Sequence, residues 1–434
     1  MSITVLNPGL LTTVQDMGRV GYQQFGVSVS GVMCPRSAIL ANILVGNPDD
    51  EAVLECTMMG PHLQFDKANC IAITGGDLMP TLDGKPIPNY TAVKVEAGQV
   101  LKFTMPKTGC RAFIAFAGGL DIPEVMGSRS TYMKAKIGGV QGRKLEKGDV
   151  AEGKLWYAYM EQAPLNPRYN GYTYVDTLNK KAIEKFVEVT HECYKKCVGD
   201  EFDKTVPAIF TDEPQFNKKN TLTHPTDKML CELPWTPDLP KSYKKAYGAD
   251  ITDTLPELFW DLPCGAVSIA RYRYHDHTCQ RFTDAFSKIC GEWCDKNGLP
   301  LTGHMMDESA LMKQTHAIGE AMRAYKYFGY PGIDMLVNEV ELVTAKQAQS
   351  AVHQYGKEAM LSELYGVTNW DFDFRGHKFQ GDWQAALGVT IRVPHLSWVS
   401  MKGDAKRDYP ASISYQSPWF REYSYVEDHF ARLN

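Results

Sequence analysis

The stretch Ile209-Phe210-Thr211-Asp212-Glu213-Pro214 is a short apolar β-run that ends in two adjacent carboxylates and a proline. An apolar run of this length, bounded by a turn signal, reads as a buried strand, and the acidic pair sits where that strand must stop. Two further runs end in the same way. Pro300 to Met305 carries Gly303-His304, and Ala359 to Leu364 carries Glu363 just ahead of Tyr365-Gly366. Ile333 to Val337, Thr390 to Val393 and, furthest upstream, Lys154 to Tyr159 complete a set of six expected strands. Helical patterns separate them: Asn179 to Cys197 with Thr177 or Asn179 as its cap, Val267 to Asn297, a helix ending near Tyr327, and Thr344 to Tyr355. Strands alternating with helices imply parallel βαβ units. The expected architecture here is α/β, a (β/α)8 TIM barrel that is partial at about six strands.

In such a barrel the chemistry sits at the strand ends. A glutamate there points into the barrel mouth, where desolvation and neighbouring charge shift its pKa. Glu213 and Glu363, three strands apart, form the pair that glycosidic bond cleavage requires, one as general acid and the other as nucleophile or base. Taken singly, each reads equally as a helix cap or salt-bridge partner, and His304 as a buried hydrogen-bonding histidine. Downstream come Trp370-Asp371-Phe372-Asp373-Phe374-Arg375-Gly376-His377 and Pro394-His395-Leu396-Ser397-Trp398. Flat rings stack on pyranose faces and charged groups fork onto hydroxyls. The expected substrate-contacting set is therefore Asp212, His304, Tyr365, Trp370, Asp371, Asp373, Arg375, His377, His395 and Trp398, with aromatic core packing as the competing reading.

Upstream of about Val150 the chain changes character. All eight Trp lie after Leu155, and only eight Phe and Tyr precede it. Short runs such as Ile3 to Leu6, Cys70 to Thr74, Ala92 to Val95, Val100 to Phe103 and Arg111 to Phe116 are apolar or alternating, with Asp83-Gly84 and Ala97-Gly98 as turns. One helix is expected, Pro35 to Val45, with Pro at its start and Gly46 past its end. Residues 1–150 thus read as an all-β, barrel-like module and residues 153–434 as a second module. The glycine-dense segment Gly9 to Gly31 holds Gln15, Asp16 and Arg19, side chains able to bind a carboxylate or phosphate. A set of tight turns is the competing reading, and no Walker or GxGxxG pattern supports a nucleotide site.

The run Gly9 to Gly31, with Asn42 to Pro48, Leu54-Glu55, Thr74-Gly75-Gly76-Asp77, Ala117-Gly118-Gly119 and Gly127-Ser128-Arg129-Ser130-Thr131-Tyr132, resembles the family of the C subunit of 5-oxoprolinase. This is also the biotin-dependent carboxyltransferase or allophanate hydrolase subunit 2 family. The resemblance implies a cyclophilin-like β-barrel, here partial, that works with 5-oxoprolinase partner subunits and ATP. It also adds Arg129 to the expected ligand-binding residues of this module. Where the family usually reads Gly-x-Met-Asp, this chain has Gly31-Val32-Met33-Cys34.

The second module resembles bacterial glycoside hydrolases with TIM-barrel catalytic domains, particularly α-L-rhamnosidase-like enzymes. Tyr174-Val175-Asp176-Thr177-Leu178-Asn179, Ile209 to Pro214, Trp370 to His377 and Gly381-Asp382-Trp383-Gln384 carry that likeness. It implies a retaining hydrolase of an oligosaccharide that needs no cofactor, with Glu213 as acid/base and Glu363 as nucleophile. The first likeness fades at about Gly148-Asp149, and the second begins near a barrel's third strand. Three readings follow: a glycoside hydrolase, a subunit of an ATP-dependent 5-oxoprolinase or biotin-dependent carboxyltransferase, or an inactive composite of two gene fragments.

Composition narrows the partners. A net charge of −5 without basic clusters disfavours nucleic acid. Eleven scattered Cys, among them Cys56, Cys70 and Cys110, read as buried free thiols, and the four-residue spacing of Cys193/Cys197 and Cys290/Cys294 suits helix packing better than zinc, so no metal is expected. Met1 to Gly9 has neither a basic nor an apolar leader region, and no run is long enough to span a bilayer, so a cytoplasmic location without membrane contact is expected.

Overall fold

The computed structural model describes residues 2–153, 156–216, 219–224, 227, 229–262, 265–396 and 412–433. The chain forms two compact units: Met1–Tyr159 with Thr221–Leu230 and Pro256–Ser268, and Met160–Asn220 with Cys231–Leu255 and Ile269–Asn434.

The first unit contains two antiparallel sheets. Strands β1 (Ser2–Asn7), β4 (His62–Phe65), β6 (Thr81–Leu82), β7 (Lys85–Pro86), β9 (Val100–Lys102) and β11 (Val150–Glu152) lie in the order β11-β1-β4-β9-β6-β7. Strands β2 (Leu11–Gln15), β3 (Val53–Thr57), β5 (Asn69–Asp77), β8 (Ala92–Val95) and β10 (Thr108–Phe116) lie in the order β2-β3-β10-β5-β8. Alternation of period two sends Ile3 and Val5 of β1 inward, where they meet Leu63, Phe65, Leu101, Leu54, Ile73 and Ile114 in one core shared by both sheets. The helix Pro35–Leu44, begun by its proline, packs Ala38 and Ala41 against Ala72, Phe113 and Ala115 on the five-stranded sheet. Of the three cysteines expected to be buried, Cys56 is and Cys70 is partly so, but Cys110 is exposed. It lies near the start of β10, where the first three residues are solvent-facing.

The second unit is built on a parallel sheet, β12 (Ile209–Asp212), β13 (Leu301–His304), β14 (Tyr330–Met335), β15 (Leu361–Leu364) and β16 (Ile391–Pro394), in sequential order. Five strands, not six, form among the described residues. Lys154 and Leu155 lie outside them, and Trp156 to Tyr159 form no strand. The apolar alternation there is that of exposed rings, with Tyr157 and Tyr159 at least three-quarters accessible. Helices Leu342–Tyr355 and Phe374–Ala386 and the helical run from Ile269 to Lys296, with a π-helical segment Thr283–Ser287, supply the connections. The expected helix Asn179 to Cys197 divides at Thr190, whose hydroxyl donates to the Phe186 carbonyl (2.6 Å). No helix among the described residues is long and apolar enough to cross a membrane.

Candidate active site

Parallel register fixes which side chains meet. Asp212 pairs with His304 across β12 and β13, and Asp334 pairs with Glu363 across β14 and β15. Four consecutive strands therefore deliver Asp212, His304, Asp334 and Glu363 at or near their carboxyl ends, and Glu213 follows β12 directly. Glu213 has a left-handed backbone (φ +46°), as do Asp307, Val337 and Tyr365 just beyond the ends of β13, β14 and β15. Non-glycine residues in this region store strain that commonly accompanies functional sites.

Gly303 makes this arrangement possible. Its φ is +114°, and a Cβ there would stand 1.9 Å from the Thr211 carbonyl oxygen, so only glycine lets β13 approach β12 this closely.

His304 is the hub. It is 1% exposed, its Nε2 lies 2.9 Å from Glu363 Oε2 and 3.5 Å from Asp212 Oδ1, and the Phe210 ring packs edge-on against it. Burial alone would drive the imidazole toward neutrality. The hydrogen bond to Glu363 and the charges of Asp334 and Glu308 outweigh it and raise the pKa to about 9. Glu213 moves upward too, chiefly through burial, then through the charges of Asp212, Asp307 and Glu363, with His304 opposing. Burial likewise raises Asp334 to about 7 against the pull of His304.

Two residues outside the expected set complete the site. Asp334 Oδ1 is buried and accepts no hydrogen bond among the described residues. Glu308 is buried beside the Asp334 backbone, raised by burial to about 7, and accepts from Tyr325 Oη (2.5 Å), Asp334 N (3.0 Å) and Met305 N (3.3 Å). The sequence does carry a signal for Asp334: a lone carboxylate inside the apolar run Ile333 to Val337 meets the same strand-end criterion as Glu363. Glu308 has none, because it lies in the turn after β13 and not at the end of an apolar β-run.

The ligand atoms of Asp212, His304 and Glu363 lie within 4.8 Å of one another, as do those of Glu213, His304 and Asp334, so either set is compact enough for a cation. A cation at either set would have to displace the proton that the surrounding carboxyls hold on His304.

The other expected residues are dispersed. Tyr365 and His377 are fully buried, their rings 4.6 Å apart, with Tyr365 Oη donating to the His377 carbonyl (3.2 Å). Asp373 caps the helix Phe374–Ala386 through the Arg375 and Gly376 amides and also pairs with the Arg375 side chain. Trp370 and Asp371 lie in the loop after β15, and His395 follows β16, its amide donating to the Leu364 carbonyl (2.8 Å). Trp398 lies outside the described residues.

In the first unit, Gln15, Asp16 and Arg19 are buried and bond internally. Asp16 accepts from the Ser128 and Ser130 hydroxyls and the Arg129 and Gly18 amides, which hold its carboxyl below the usual range despite burial. Arg19 donates to the carbonyls of Val125, Ser128 and Ser130. Gln15 donates to Thr13 Oγ1 and the Thr131 carbonyl, and Arg129 pairs with Glu124 (2.8 Å). These side chains knit the glycine-rich segment to residues 125–131.

Residues 25–192 match the family model described as carboxyltransferase domain, subdomain A and B. The chain is 43% identical over 150 residues to urea amidolyase from Saccharomyces cerevisiae, covering 34% of this chain and 8% of that protein. It is 38% identical over 147 residues to the C subunit of 5-oxoprolinase from Escherichia coli, covering 34% of this chain and 47% of that one. The chain thus spans less than half the length of these curated relatives. A solved rhamnosidase from Novosphingobium sp. PP1Y aligns with all of this chain and 46% of its own, at 15% identity and a TM-score of 0.48. Residues 25–192 of this chain are therefore similar to the carboxyltransferase domain family, and a stretch of about 150 residues is similar to urea amidolyase and the C subunit of 5-oxoprolinase.

Proposed function

We propose that the second unit hydrolyses a glycosidic bond of an oligosaccharide, with Glu213 as proton donor and Glu363 as nucleophile or base. The observation that carries this reading is the unequal environment of the two glutamates around His304. Glu213 is pushed by burial and neighbouring carboxylates toward its neutral form, and Glu363 receives a 2.9 Å hydrogen bond from a protonated imidazole. Different environments for two carboxyls are how one site supplies both acid and base. Asp212, 3.5 Å from His304, adds negative charge that favours a developing oxocarbenium ion.

Whether Glu363 attacks the sugar or deprotonates water fixes the anomeric outcome. The sequence expectation is retention, read by 1H NMR of the first-formed product. The reading as a whole is tested by incubating the chain with a panel of neutral and acidic oligosaccharides and measuring released reducing ends. Glu213→Gln and Glu363→Gln are each expected to lower the rate by about 10²- to 10⁴-fold. Undiminished rates in both variants would remove the assignment.

A second reading belongs to the first unit, whose 38% identity to the C subunit of 5-oxoprolinase supports a role beside ATP-using partner subunits. It predicts 5-oxoproline-dependent ATP turnover only when such subunits are added.

A further inference from the structure

A cavity of about 580 Å³ lies in the second unit, walled by three helical segments: the start of Lys180–Val189, the helix Leu239–Tyr247, and the run from Ile269 into the π-helical Thr283–Ser287. None of the strand-end carboxylates lines it. Cavities of this size hold small organic molecules rather than a lone ion.

Arg281 and His277 fix one wall. The Arg281 side chain is only 13% exposed; its Nε and Nη2 donate to the Leu178 carbonyl (3.2 and 3.0 Å) and its Nη1 donates to Ser242 Oγ (2.7 Å). Ser242 Oγ in turn lies 2.8 Å from Nε2 of the buried His277, whose ring meets those of Tyr243 and Tyr247 edge-on. Burial and the Arg281 charge lower the His277 pKa, so the imidazole is neutral at pH 7 and the charge of the wall comes from Lys and Arg.

That charge is positive in a chain whose net charge is −5. Lys180, Lys181, Lys245 and Arg281 share the cavity with two carboxylates, Asp238 and Asp284. Both carboxylates are engaged. Asp238 pairs with Arg281 (2.7 Å), and Asp284 accepts from Gln280 Nε2 (3.0 Å) and lies 3.9 Å from Lys180 Nζ. Lys181 and Lys245 are exposed and pair with no carboxylate among the described residues. Two uncompensated ammonium groups match the charge of a phosphate monoester, about −1.5 to −2 at neutral pH, whereas a sulfate ester or a carboxylate supplies half of it. Lysine binds phosphate as a point charge and needs no forked geometry.

We propose that this cavity binds a small molecule carrying a phosphate monoester, with Lys181 and Lys245 as the charge partners of the phosphate. The site is separate from the strand-end carboxylates, and the proposal does not depend on the roles given to Glu213 and Glu363.

The test is calorimetric titration of the full chain with phenyl phosphate and with phenyl sulfate, which carry the same ring and differ in charge. Phenyl phosphate is expected to bind saturably, and phenyl sulfate about tenfold more weakly. Lys181→Gln combined with Lys245→Gln is expected to weaken phenyl phosphate about tenfold or more. Lys185→Gln combined with Lys288→Gln removes the same charge from positions that do not line the cavity, where each lysine already pairs with a glutamate, and is expected to stay within about twofold of the parent. All four lysines are solvent-exposed, and an unchanged melting temperature checks that each double variant keeps its fold. Absence of saturation up to about 20 mM phenyl phosphate, equal affinity for the two esters, or equal losses in the two double variants overturns the proposal.

Discussion

Asp334 shows best how function is bought at the level of a single side chain. Its carboxyl is raised to about 7 from an ordinary 3.8, mainly by burial, and among the described residues Oδ1 has no hydrogen-bond donor to offset the loss of water. A folded-state pKa above the unfolded value contributes stability that is fully present below about pH 4 and lost as pH rises through 7. Asp334→Asn removes that liability. Its unfolding free energy is expected to match the parent at or below about pH 4 and to exceed it by roughly 1–3 kcal/mol at pH 8 to 9. Denaturant titration at both pH values checks this, and equal stabilities at pH 8 would contradict the burial argument. The same variant is expected to lose activity, because the site then lacks one of the carboxyls that keep His304 charged.

Strand ends and their loops decide what is readable from the sequence. The carboxylate pair of Ile209 to Pro214 and the lone glutamate of Leu361 to Leu364 are legible because an apolar β-run makes any terminal charge conspicuous. The run Trp370 to His377 has the composition of a binding surface. Two of its members serve the helix that begins there: Asp373 caps it, and His377 is buried against Tyr365 and Phe372. Aromatic and polar residues at helical spacing do not declare which face they occupy until the neighbouring strand is placed. Trp156 to Tyr159 form no strand for a related reason, since alternation without a partner strand makes no ladder. Gly303 is a sharper element-scale test. Gly303→Ala sets a Cβ against the Thr211 carbonyl at a φ disfavoured for any side chain, and is expected to cost about 2–4 kcal/mol of stability. A loss below about 0.5 kcal/mol, by thermal or chemical unfolding, would mean that β12 and β13 are not packed as described.

At the scale of the whole molecule, the two units have separate cores. Ile3, Leu54, Leu63 and Phe116 belong to one, and Phe282, Leu301, Ile333 and Leu364 to the other. Each core is continuous enough to predict cooperative unfolding, seen as sharp calorimetric transitions; a broad, featureless melt would favour the composite of two gene fragments. Register alone brings Asp334 level with Glu363. The most direct measurement is the leaving-group dependence of Glu213→Gln, using aryl glycosides of the preferred sugar with dinitrophenol and phenol as leaving groups. Phenol needs protonation to depart and dinitrophenol does not, so the predicted loss in kcat/KM is about 10²-fold or more greater for the phenyl glycoside. Equal losses on the two would show that Glu213 donates no proton to the departing oxygen.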